Sequence, residues 1–220
     1  MFSLKKSFAA CRDRFFLLLV AVLMTVASPA AASAQKTLMV YGDSLVAGYG
    51  LDAGQGFPEQ LQAALAAAGR DVKVVNAGVS GDTTAGGLAR LDWALADRPD
   101  AMIIVLGGND LLRGLNPQQT KANLQAMLTR LRQDQIAVLL CGMLAPVNLG
   151  PDYRQQFDNI YPELAAEFGV WLYPFFLQGV ALNPDLNLPD GLHPNTTGVA
   201  HITAAVLPYT LALLDQLDGR

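Results

Sequence analysis

The chain has 220 residues, 52% of them hydrophobic and 15% charged, with a formal net charge of −4. That composition suits one globular domain with a sizeable core and excludes a disordered or fibrous protein. With residues 1–34 set aside, 11 Lys and Arg stand against 18 Asp and Glu. No basic stripe remains, so nucleic acid is not an expected partner.

Residues 1–34 read as a secretory signal peptide. Lys5, Lys6, Arg12 and Arg14 form a basic start, residues 15–27 an apolar run, and Ala32-Ser33-Ala34 a small-x-small cleavage site. The apolar run is shorter than the roughly 20 residues a membrane-spanning helix needs. Cleavage near Ala34 would leave residues 35–220 as a single domain, periplasmic or secreted, with no stable membrane insertion. The other reading is an uncleaved N-terminal anchor. Cys11 precedes the apolar run, whereas a lipidated cysteine would follow it. Cys141 is then the one remaining cysteine, so no internal disulfide is expected. It sits inside the apolar run 136–143 and reads as a buried small hydrophobe.

From residue 35 the chain alternates short apolar runs with helical patterns. The first strand is expected over 38–42, and it stops at Gly42-Asp43-Ser44. A helix over 58–68 carries Leu61 and Leu65 and stops at Gly69. A second strand at 72–76 leads to Asn76-Ala77-Gly78-Val79-Ser80-Gly81-Asp82-Thr83 and a helix over 84–96, with Leu88, Leu91 and Leu95 on one face and Trp93 near its edge. A third strand at 101–107 runs into Gly107-Gly108-Asn109-Asp110, and Pro117 opens a helix to about Arg132. Strands at 136–142 and 170–175 and helices over 152–168 and 194–217 complete the set. Pro162 and Pro208 should start, kink or interrupt those last two helices.

The strands are continuous apolar runs, as expected when both faces are covered by helices. Five β-α units in a row predict a three-layer α/β/α sandwich, flavodoxin-like, with a five-stranded parallel sheet of order 2-1-3-4-5. In that order the crevice lies at the carboxyl ends of strands 1 and 3. The loops after strands 1, 2 and 3 are the ones rich in Gly, Asn, Ser and Asp.

Ser44, at a strand end, is placed to be a nucleophile. The chain has two histidines. His193, in Pro189-Asp190-Gly191-Leu192-His193-Pro194, suits a general base, whereas His201 reads as a helix-face residue. Asp190, three residues before His193, either orients the imidazole or forms an Asx turn. Oxyanion donors are available in the backbone N–H of Ser44 and Gly81 and the Asn109 amide. Gly107-Gly108 alone could be a plain turn, and Asn109 a helix cap. No His/Cys/Asp/Glu cluster has metal-ligand spacing, and no cofactor is expected. Gly48-Tyr49-Gly50 fits a dinucleotide-binding pattern only on paper, because five residues separate it from strand 1. Val46 stands where a Gly-x-Ser-x-Gly elbow needs glycine.

Together the blocks Gly42-Asp43-Ser44-Leu45, Gly81, Gly107-Gly108-Asn109-Asp110 and Asp190-x-x-His193 resemble those of the SGNH, or GDSL-type, serine hydrolases, in the same order. The resemblance implies catalytic Ser44, Asp190 and His193, and an oxyanion hole of Ser44, Gly81 and Asn109. Asp43 is assigned a structural role in the turn. A narrower resemblance is to the bacterial arylesterase, acyl-CoA thioesterase and lysophospholipase branch. It rests on residues 107–114, 145–150 and 160–165. It implies an acyl groove flanked by residues 112–115 and 144–153, with Leu111, Leu112, Leu115, Leu144 and Leu149 as candidate lining; taken singly, each leucine reads first as ordinary packing. The implied substrate is a small acyl ester, hydrolysed through an acyl-enzyme. Thioesters and lysophospholipids come next, although acyl-CoA is a cytosolic compound that an exported enzyme would not meet. The alternatives are a sugar O-deacetylase of the same family and a non-catalytic module binding acyl ligands.

Overall fold

The computed structural model describes residues 35–219, so the expected signal peptide lies outside the described residues. Five strands form the sheet: β1 (Lys36–Gly42), β2 (Val72–Gly78), β3 (Ala101–Val105), β4 (Ala137–Cys141) and β5 (Trp171–Tyr173). Every pairing is parallel and the order is 2-1-3-4-5, as the sequence predicts. Val40 of β1 lies between Asn76 and Ile103, and Gly42 between Gly78 and Val105.

Burial separates inner strands from edges. β3 and β4 are buried along their whole length, and β1 from Leu38 onward. This is where the continuous apolar runs come from, because both faces meet helices. The expectation of two covered faces does not extend to β2 and β5. They are the sheet edges, and Lys73, Asn76 and Trp171 are exposed there.

Eight α-helices are described: α1 (Ser44–Ala47), α2 (Phe57–Ala67), α3 (Thr84–Ala94), α4 (Gly108–Leu112), α5 (Pro117–Gln133), α6 (Pro151–Asp158), α7 (Ile160–Phe168) and α8 (Thr196–Asp218). α2 packs with α8, while α3 packs with α5 and α5 with α7. Local chemistry sets several ends. Thr83, Asn116 and Asn195 cap α3, α5 and α8 through side-chain oxygens, and α7 stops at Gly169 in the left-handed region. Leu91 and Leu95 are buried as expected, but Trp93 is out in solvent.

Of the two prolines expected to start, kink or interrupt a helix, Pro162 stands at a helix start and Pro208 does not interrupt its helix. The single helix expected over 152–168 is two, broken at Asn159, and Pro162 falls in the first turn of α7, where its missing N–H costs nothing. α8 runs through Pro208 without a break. Val206, Thr210, Leu213 and Leu214 around it are buried, and that packing offsets the lost bond. α8 is also long and apolar enough to cross a membrane, but here it lies along α2, β4 and β5 as a core helix.

The short helices α1 and α4 were not expected. They begin at the carboxyl ends of β1 and β3, on either side of the switch point. The turn into α1 needs glycine at 42, because a methyl there would sit 2.5 Å from both Val105 O and Val46 Cγ2. Gly42→Ala should therefore overpack the end of β1 and cost about 1–3 kcal/mol or more. Urea unfolding checks this, and an unchanged midpoint would remove the steric argument.

Candidate active site

Ser44 is the first residue of α1. Asp43 caps that helix, its Oδ1 accepting from Leu45 N–H at 3.0 Å. Among the described residues, the Ser44 N–H donates to no protein acceptor, as befits the first turn of a helix.

His193 arrives from the far edge of the sheet. The loop 174–195 follows β5 and runs back across the carboxyl edge to β1. Its course is set by contacts with the segment after β1. The Phe176 and Phe57 rings meet edge to face at 5.1 Å, Leu188 covers Gly50, and Thr196 Oγ1 donates to Gln55 Oε1 at 2.6 Å. Inside the loop, Asn187 Nδ2 donates to the carbonyls of Val180 and Asn183, both at 2.7 Å. Leu188 N–H donates to His193 O at 2.7 Å, and Asn195 N–H to Leu186 O at 2.9 Å.

The result is a hydrogen-bonded chain of three side chains. His193 Nε2 lies 2.9 Å from Ser44 Oγ, and His193 Nδ1 lies 2.7 Å from Asp190 Oδ2. The carboxylate takes the Nδ1–H, which leaves Nε2 to accept the serine proton. Asp190 also accepts the N–H groups of His193 at 3.0 Å and Leu192 at 2.9 Å on Oδ1. The two readings of Asp190, Asx turn and imidazole partner, are therefore met by one residue with two oxygens. The backbone N–H of His193, then that of Leu192, then the imidazole hold its carboxyl down at about 2. It stays ionised at any ordinary pH.

The other predicted donors converge on the same edge. Gly81 has φ +85°, and its N–H has no protein acceptor among the described residues. Arg113 Nη2 donates to its carbonyl at 2.8 Å. Asn109 Nδ2 donates to Asp82 O at 2.9 Å and to Asp43 Oδ2 at 3.2 Å. Asp43 thus joins the first and third blocks. It is buried, and loss of hydration lifts its carboxyl to about 6, against the opposing pull of Leu45 N–H, His193 and Asn109.

The third block is held from below. Gly107 sits at φ +113° with no room for a side chain, since a methyl would fall on the Tyr161 hydroxyl, itself donating to Leu106 O at 2.9 Å. Buried Asp110 accepts Thr84 N–H at 2.8 Å, the Thr84 hydroxyl, and Thr120 Oγ1 at 3.1 Å. That network ties α4 to the starts of α3 and α5, and every polar atom named in it is partnered.

The candidate groove residues divide. Leu111 is part of the core, so the expectation that it lines the groove is corrected: it turns inward in α4. Leu149 is half-buried against the core. Leu112, Leu115 and Leu144 are exposed, as are Val79, Val147 and Leu192. All six follow β2, β3, β4 or β5, on the same edge as Ser44. Tyr153 OH donates to Leu115 O at 2.8 Å and joins two of these loops. Cys141 is fully buried and burial pushes its thiol up, which leaves it inert. His201 is exposed on α8.

Two residues were not anticipated. The Tyr49 ring lies 4.6 Å from that of His193, tilted by 39°. The glycines on either side, both at positive φ, were the available signal. Arg90, half-buried on α3, contacts Gly42 and Asp82. A lone arginine among Leu88 and Leu91 was its only trace in sequence.

Residues 40–201 match the GDSL-like lipase/acylhydrolase family. The chain is similar to esterase TesA of Pseudomonas aeruginosa, 43% identical over 183 residues that cover 83% of this chain and 91% of that protein. It is 42% identical to thioesterase 1/protease 1/lysophospholipase L1 of Escherichia coli K12, covering 74% and 78%. A crystal structure of TesA superposes with a TM-score of 0.77 at 44% identity, covering 81% of this chain and 99% of that one.

Asp43 makes a pH prediction with a definite sign. An acid whose folded pKa is raised binds its proton more tightly when folded, so stability falls as pH rises from about 4 through 6. The window spans about 2 units, or about 3 kcal/mol. Relative to the parent, Asp43→Asn should gain up to that amount between pH 4 and pH 7. Paired urea titrations at the two pH values check it, and a pH-independent difference would contradict it.

Proposed function

The chain belongs to the GDSL-like lipase/acylhydrolase family and is an ester hydrolase, and from that premise we propose that it works through an acyl-enzyme on Ser44. The supporting observation is the continuous chain Ser44 Oγ, His193 Nε2, His193 Nδ1, Asp190 Oδ2 at 2.9 and 2.7 Å. Ser44 Oγ attacks the ester carbonyl carbon while His193 Nε2 takes its proton. Asp190 stays ionised, keeps the proton on Nδ1, and stabilises the imidazolium that forms. The carbonyl oxygen becomes an oxyanion facing the Ser44 and Gly81 N–H groups and the Asn109 amide. Of the two bonds Asn109 Nδ2 makes at rest, the 3.2 Å one to Asp43 is the longer and the one it exchanges for the oxyanion.

Collapse of the intermediate expels the alkoxide, and His193 protonates it. A water then enters, gives a proton to His193 Nε2, and attacks the acyl-enzyme. A second collapse frees the acid and returns the proton to Ser44. The exposed side chains of Leu112, Leu115, Leu144 and Val147 offer apolar surface to an acyl or aryl group. Carboxylic esters with such groups are the favoured substrates, with thioesters and lysophospholipids as further candidates.

The roles are tested with p-nitrophenyl esters of increasing chain length. Ser44→Ala should abolish turnover, and His193→Ala should cost about as much, because the two act as one unit. Asn109→Ala should lower kcat by about 10²–10³ with a smaller change in KM. Parental rates in Ser44→Ala would sink the assignment of the nucleophile.

We also propose export, with cleavage after Ala34. The basic start, apolar run and Ala32-Ser33-Ala34 site support it. N-terminal sequencing of the exported protein should begin at Gln35, and recovery of Met1 would argue for a retained anchor.

A further inference from the structure

Arg90 belongs to none of the four sequence blocks, yet it touches Gly42 of the first and Asp82, the residue directly after Gly81 of the second. Its guanidinium is engaged on three sides. Nε donates to Asp82 Oδ2 at 2.6 Å, Nη2 donates to Gly42 O at 2.9 Å, and the central carbon lies 4.0 Å over the Tyr41 ring. The Arg90 and Asp82 side chains are only 18% and 15% exposed, so water screens this pair far less than a surface pair.

The two acceptors are what give the contact its meaning. Gly42 O is the last carbonyl before Asp43-Ser44, and it also accepts Val79 N–H at 2.9 Å. Asp82 follows Gly81 directly, and its own carbonyl accepts Asn109 Nδ2 at 2.9 Å. One planar cation therefore fastens the end of β1 to the loop after β2, and that loop holds the amide of the loop after β3. Arg113 holds the Gly81 carbonyl from the solvent side, where it is exposed.

Accepting Ser44, Gly81 and Asn109 as the oxyanion donors, we propose that Arg90 is a positioning residue that sets the spacing of those three donors through Gly42 and Asp82. It does not reach the reacting atoms. Its contribution is to spare the loops from reorganising as charge develops, where an error of about 1 Å costs about a hundredfold in rate. Lysine cannot replace it, because an ammonium keeps the charge beside Asp82 but lacks the fork that reaches Gly42 O as well.

The test compares Arg90→Lys and Arg90→Met with the parent on p-nitrophenyl butyrate, with thermal melts taken alongside. Both variants should lose about ten- to a hundredfold in kcat with KM within about twofold. Inactivation by diethyl p-nitrophenyl phosphate, whose adduct places an oxygen in the same hole, should slow in parallel. The double variant Arg90→Lys/Asn109→Ala should lose clearly less than the product of the two single losses, because the two changes act on one set of donors. A merely structural arginine would give losses that multiply, and that result would overturn the proposal, as would parental kcat in both single variants. If Arg90→Met does not fold, Arg90→Lys carries the same comparison. Parental kcat in Asn109→Ala would instead overturn the oxyanion reading on which this rests, so the two failures are distinguishable.

Discussion

The 2.9 Å contact between His193 and Ser44 is the interaction on which the rest of the molecule depends. Ser44 stands just past the end of β1, inside the sheet, and His193 is carried on a loop that leaves the sheet at its β5 edge. A parallel sheet of order 2-1-3-4-5 places β5 three positions from β1, so the loop must cross the carboxyl ends of β4 and β3. Crossing without support would leave its backbone groups unpaired and its ends free. The Phe176–Phe57 contact, the Leu188–Gly50 contact and the two hydrogen bonds from Asn187 give it a single course instead. Much of the segment from β5 to α8 is scaffolding for one imidazole.

The acids at this edge do different work because their surroundings differ. Asp190 is met by two backbone N–H groups and an imidazole, which favour the charged form. Asp43, the residue directly after β1 and buried, is lifted by lost hydration and faces Asn109. Asp110 ties α4 to α3 and α5 through two threonines. Three aspartates in neighbouring motifs thus orient a histidine, hold a turn and hold a helix. Residue type alone does not distinguish these tasks.

Strands β1, β3 and β4 were legible because burial on both faces leaves continuous apolar runs. The helix ends were legible where a glycine or a first-turn proline marked them, as at Gly69 and Pro117. The short helices α1 and α4 were not, since four or five residues carry no periodicity. Leu111 and Leu112 show the same limit at the site. They are adjacent and chemically identical, but α4 turns one into the core and the other to solvent. Tyr49 and Arg90 were missed because their partners, His193, Asp82 and Gly42, lie in other segments of the chain.

The order and content of the four blocks, the alternation of strand and helix, and hence the parallel sheet and its switch point, follow from the sequence by itself. These are local patterns, set by backbone preference and by which residues bury. The distances are another matter. Whether Asp190 and His193 meet Ser44, which way each leucine faces, and what fastens the loops after β1, β2 and β3 together depend on contacts between segments up to 149 residues apart. Such contacts form only when the whole core packs, so tertiary structure alone decided them.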